Sequence, residues 1–118
     1  MKEELISFET AKLAKEKGFE IEQSYYYDKG GETWSFHTWT EGLPYPEASF
    51  APTQSLLQKW LREKHDINVM GSATVNVWFF HSEYISTGHV ITSTSKQSYG
   101  TYEEAIEAGL YETLKVIA

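Results

Sequence analysis

SYYYDKGGETWSFHTWT, Ser24 to Thr40, decides how the chain is read. Two aromatic-rich runs flank Asp28-Lys29-Gly30-Gly31, a turn signal, and together they spell a β-hairpin. Alternation puts Tyr25 and Tyr27 on one face of the first strand with Ile21 and Gln23. It puts Tyr26 on the other with Glu20, Glu22 and Ser24. In the second strand Trp34, Phe36 and Thr38 share one face, and Thr33, Ser35, His37 and Trp39 share the opposite one. A hairpin with an apolar face must lay it on another element. Most of these rings are therefore expected in the core, with Tyr26, His37 and Trp39 facing outward.

Around this hairpin the chain reads as helix, hairpin, helix, hairpin, helix. The first helix is expected over Phe8 to Lys17, with Ser7 as N-cap and Gly18 as the left-handed stop. Gly42 to Phe50, GLPYPEASF, reads as a loop in which Pro44 and Pro46 hold Tyr45 stiffly. Pro52 or Thr53 opens the second helix. Leu56, Leu57, Trp60 and Leu61 form its apolar stripe, and Gln58, Lys59, Arg62 and Glu63 its wet side.

Ile67 to Ser82 carries strand signals, INV and then ATVNVWFFHS, with a bulge or bend expected at Gly71-Ser72. Thr87-Gly88 turns the chain into HVITSTSKQS. The last helix starts at a capping box, Thr101 with Glu104, and Tyr102, Ala105, Ile106, Gly109, Leu110, Leu114 and Ile117 follow its 3.6-residue period. Gly109 costs helix stability, and close contact with the sheet is the expected reason. The fold class expected is α+β: one domain over residues 1–118, with an antiparallel sheet of about four strands and three helices packed mainly on one face.

The segments ISFETAKLAKEKGF, APTQSLLQKWLRE and TYEEAIEAGLYETLKVI resemble a family of short, mostly uncharacterised proteins of phages and prophages of gut anaerobic bacteria. The resemblance covers the three helices. It implies a setting, a small accessory protein on a mobile element, and no reaction.

Composition narrows the function. There is no cysteine among the 118 residues, which fits a reducing cytoplasm, and no apolar run long enough to span a bilayer. A net charge of −7 argues against a duplex DNA binder, whose phosphate contacts require clustered Lys and Arg. His37, His65, His81 and His89 lack the close spacing of a zinc site, so no metal is expected. No G-x-S-x-G elbow and no phosphate loop of the G-x-x-x-x-G-K type occurs, and no cofactor is expected. Glu103, Glu104 and Glu107 read as a solvated helix face and dipole partners.

Stacking is the remaining chemistry. Outward Tyr26, Trp39 and Tyr45, with His37 beside them, would hold a planar base, and Lys29, Arg62 or Lys96 would meet its phosphate. The ligand-binding residues expected are therefore Tyr26, His37, Trp39, Tyr45 and Arg62. The leading reading is a non-enzymatic cytoplasmic binder that antagonises a host component, either a nucleotide-type ligand or a host protein. The alternative is a structural or assembly protein acting through homo-oligomeric contacts, since tyrosine and tryptophan also favour interfaces. A small hydrolase or transferase using His37 or His81 is the third.

Overall fold

The structure, a computed structural model, describes residues 5–19, 25–35 (backbone alone at 34 and 35), 48–93 and 98–117. Among these the order is α1 (Phe8–Glu16), β1 (Tyr25–Tyr27), β2 (Thr33–Ser35), β3 (Ser49–Phe50), α2 (Gln54–His65), β4 (Ile67–Thr74), β5 (Val77–Tyr84), β6 (Val90–Ser93) and α3 (Tyr102–Val116). The class is α+β with three helices and antiparallel strands. The single sheet of about four strands is corrected: the strands form two three-stranded sheets, ordered β2-β1-β3 and β4-β5-β6.

Each helix begins where its cap dictates. Ser7, Thr53 and Thr101 accept through their side chains from Thr10 N, Leu56 N and Glu104 N, respectively. After α1 the chain reverses at Gly18, φ +98°. Asp66 closes α2 in the left-handed region, φ +59°.

The first hairpin turns where Asp28 predicts. Its Oδ1 accepts from Gly30 N at 2.8 Å and Glu32 N at 2.9 Å. Tyr27 opposes Thr33 across it. The third strand of this sheet was not expected. Ser49–Phe50 pairs with Tyr26–Tyr27, so the end of the expected loop is a buried strand. Two residues are too few to show alternation, which is why the sequence hides them.

The second sheet also departs from expectation. Val75 and Asn76, both at positive φ, form a two-residue hairpin turn that splits the expected strand ATVNVWFFHS between β4 and β5. Gly71 lies in an unbroken ladder opposite Phe80, so no bulge occurs there. A Cβ on Gly71 would sit 3.0 Å from the Tyr102 ring, so a larger residue there would require that ring to shift. The register shift falls at Ser82/Glu83 instead, opposite β6.

One contiguous core joins both sheets and all three helices. α1 contributes Ala11 and Ala14, α2 Leu57, Trp60 and Leu61, and α3 Ile106, Leu110 and Leu114. Ile67 and Val69 come from β4, and Tyr27 and Phe50 from the first sheet. Gly109 does what its position predicts: a Cβ there would stand 3.0 Å from both Phe80 Cβ and Val69 Cγ1. α3 therefore lies directly on β4 and β5. Gln58, expected on the wet side of α2, instead donates to Val69 O at 2.8 Å and ties the helix to β4.

Candidate functional site

The N-terminus of α1 meets α3 at Glu107, Gln54 at the start of α2 donates its Nε2 to Glu103 O at 2.8 Å, and a groove of about 850 Å³ opens beside the chain entering α1. Ser7 and Thr101, the two N-caps, stand at its wall. Its apolar lining comes from Leu5, Tyr27, Tyr99, Ala108 and Tyr111. Leu5 is placed by a bridge to Thr53, and Ile6 N donates to Pro52 O at 2.9 Å. Tyr99 is placed by a reciprocal pair of backbone bonds with Trp78, both 2.8 Å, which carries the chain alongside β5 into α3.

Glu107 organises the groove. One carboxylate oxygen accepts Ser7 N at 3.1 Å, and the other accepts the Ser7 hydroxyl at 2.9 Å and the Thr10 hydroxyl. The expectation of a solvated Glu107 is thereby corrected: it is half-buried and caps a helix from another part of the chain. Glu103 and Glu104 are exposed, as a solvated face requires. Beside Glu107, Tyr27 is buried and donates its hydroxyl to Ile6 O at 2.6 Å. Burial above all, and then the charge of Glu107, hold its phenol above the ordinary value of 10.0, while a hydrogen bond with Thr33 acts the other way.

The electrostatics follow from counting. Glu9, Glu103, Glu104 and Glu107 line the groove, and among the described residues no Lys, Arg or His does. Three helix N-termini, at Ser7, Gln54 and Thr101, supply roughly +0.5 each, against four full negative charges. The groove is strongly negative on balance. It suits a cation or a neutral group and repels a phosphate.

Of the expected ligand-binding residues, His37, Trp39 and Tyr45 lie outside the described residues, as does Lys96. Tyr26 sits at the centre of the first sheet, opposite Trp34 and Phe50, and is half-buried rather than fully outward. Arg62 is exposed on α2. Neither lines the groove. His81 lies 3.5 Å from Glu83 and pairs across β6 with Ser93, so His89 is not its cross-strand neighbour. Among the described residues no three His, Asp or Glu side chains gather to hold a metal, and no helix is long and apolar enough to cross a membrane.

Sequence reasoning missed the groove because its parts are distant in sequence. Glu107 and Ser7 each belong to a locally legible helix, and nothing local announces that they meet. No protein-family model, curated protein or solved structure matches the chain.

Proposed function

We propose that this chain is a non-enzymatic binding protein, an accessory factor of a mobile element that antagonises a host component by occupying it. The observation that carries the reading is the groove: about 850 Å³, open to solvent, and walled by tyrosines and carboxylates. That volume lies within the ~300–1,000 Å³ usual for ligand sites. Its hydroxyls at Ser7 and Thr10 are engaged by Glu107 in capping α1, which supports a scaffold role for them. The surplus of negative charge favours a host protein over a nucleotide as the occupant of this groove.

Assembly through contacts between copies is the second reading. It is favoured by Tyr84, Ile85 and Val90, exposed around the β5–β6 turn.

Native mass spectrometry of the chain isolated from host cells tests both. A stoichiometric partner protein, lost when Ala108→Trp fills the groove, supports the binder. A homo-oligomer of defined mass, unchanged in that variant, supports assembly. A bound nucleotide returns the weight to Tyr26, His37, Trp39, Tyr45 and Arg62.

A further inference from the structure

We infer that the groove between α1 and α3 takes a basic, extended segment of a partner protein, with arginine or lysine heads on the carboxylates and their apolar stems on the tyrosines. This rests on the binder reading and names its occupant.

Charge complementarity selects a cationic occupant. Two glutamates outside the groove have a lysine: Glu63 has Lys59 at 3.9 Å and Glu112 has Lys115 at 3.2 Å. Among the described residues no cation pairs with Glu9, Glu103 or Glu104, which face one groove. Like charges gathered without counter-charge raise the energy of the unoccupied protein, and an incoming cation relieves that repulsion. A second copy of a chain carrying −7 is a poor source of that cation, because the two copies repel.

The lining matches the two halves of such a side chain. A lysine or arginine stem is apolar and its head charged, so it requires an apolar floor with acids at the rim. Leu5, Tyr27 and Ala108 supply the floor, and Glu103 and Glu104, exposed in the first turn of α3, supply the rim. The chain's own lysines set their charged heads over two of its rings, one of them the groove's Tyr111. Lys115 Nζ lies 5.1 Å from the Tyr111 ring centre and Lys12 Nζ 5.1 Å from that of Phe8. The groove is open rather than enclosed, which fits a segment of a longer chain rather than an engulfed small molecule.

The test is fluorescence anisotropy with three labelled peptides: alternating Leu and Arg, alternating Leu and Gln, and alternating Leu and Glu. The Leu–Arg peptide is expected to bind saturably and at least tenfold more tightly than the Leu–Gln peptide. Glu103→Gln with Glu104→Gln should weaken it about tenfold, and Ala108→Trp should abolish it. Both variants are checked by circular dichroism; the Gln pair replaces exposed side chains and keeps the fold even if the Ala108→Trp variant does not. Equal binding to wild type and Ala108→Trp overturns the inference, because net charge alone would then hold the peptide. No effect of the Gln pair also overturns it, as does no saturable binding of Leu–Arg. Leu–Gln or Leu–Glu binding that Ala108→Trp removes rejects the basic occupant while keeping the groove as a binding site. If none of the three peptides distinguishes wild type from that variant, the binder reading of this groove falls as well.

Discussion

Ser7 gives both its backbone N–H and its hydroxyl to one carboxylate, that of Glu107, 100 residues further along the chain. The N-terminus of α1 is thus capped twice, by its own Ser7 against Thr10 N and by a charge borrowed from α3. Hydrogen bonds to charged groups contribute ~1.5–3 kcal/mol when well placed, and part exposure lowers that here. Glu107→Ala is expected to cost about 2 kcal/mol in urea denaturation, and Glu107→Gln about half as much. A double-mutant cycle with Ser7→Ala should show coupling above ~0.5 kcal/mol. Additivity of the two changes would mean that the carboxylate does not hold the helix.

Gly109 poses a contest between two effects of known size. Alanine there would gain about 1 kcal/mol of helix propensity. Its Cβ would also press to 3.0 Å against Phe80 Cβ and Val69 Cγ1, neither the far end of a flexible side chain. Overpacking of this kind costs ~1–3 kcal/mol. Gly109→Ala should therefore lower stability by about 1 kcal/mol net, read from the thermal midpoint. A rise would mean that α3 does not lie so close on the second sheet.

What could be read from the sequence was what is local. Caps and 3.6-residue periods place α1, α2 and α3 within a residue or two, because Ser7, Thr53 and Thr101 act on their own helices. The Gly109 contact was also legible, since a glycine inside a strong helix demands a reason. The division into two sheets was not. It depends on Ser49–Phe50, too short to alternate, and on a turn at Val75-Asn76 where valine is an improbable residue. The groove was invisible for a different reason. Glu103, Glu104 and Glu107 look the same as any solvated helix face until α1 is laid beside them.

That turn is itself testable. Val75 adopts φ +42° and Asn76 φ +66°, a conformation costly for a branched Cβ, and Val75 is 87% exposed with little packing to compensate. Val75→Asn with Asn76→Gly restores the residues such a turn prefers. The pair should raise stability by ~0.5–1 kcal/mol. A loss would show that β4 and β5 are not joined by this tight turn.

Thr113 carries the reverse opportunity. Its hydroxyl is fully buried on α3 and has no hydrogen-bond partner among the described residues. A buried unpaired hydroxyl costs ~1–3 kcal/mol, and valine replaces it with a methyl group of similar shape. Thr113→Val should stabilise by about 1 kcal/mol in urea. A loss of that size would reveal a partner for the hydroxyl.

Alkaline pH probes the groove without a ligand. Burial first, and then Glu107, raise the Tyr27 phenol above 10.0; burial and Glu112 do the same for Tyr99. The folded state then holds these protons more tightly than the unfolded chain. Their contribution is intact below about pH 10 and is lost as pH rises through the higher folded values. Urea midpoints should therefore fall above about pH 10. Tyr27→Phe should begin lower at neutral pH, having lost the bond to Ile6 O, worth ~1 kcal/mol, but should fall less steeply. Glu107→Gln should also flatten the decline, because it removes the second cause while leaving Tyr27 in place. An unchanged slope in both variants would separate Tyr27 from Glu107 and dismantle the electrostatic account of this wall of the groove.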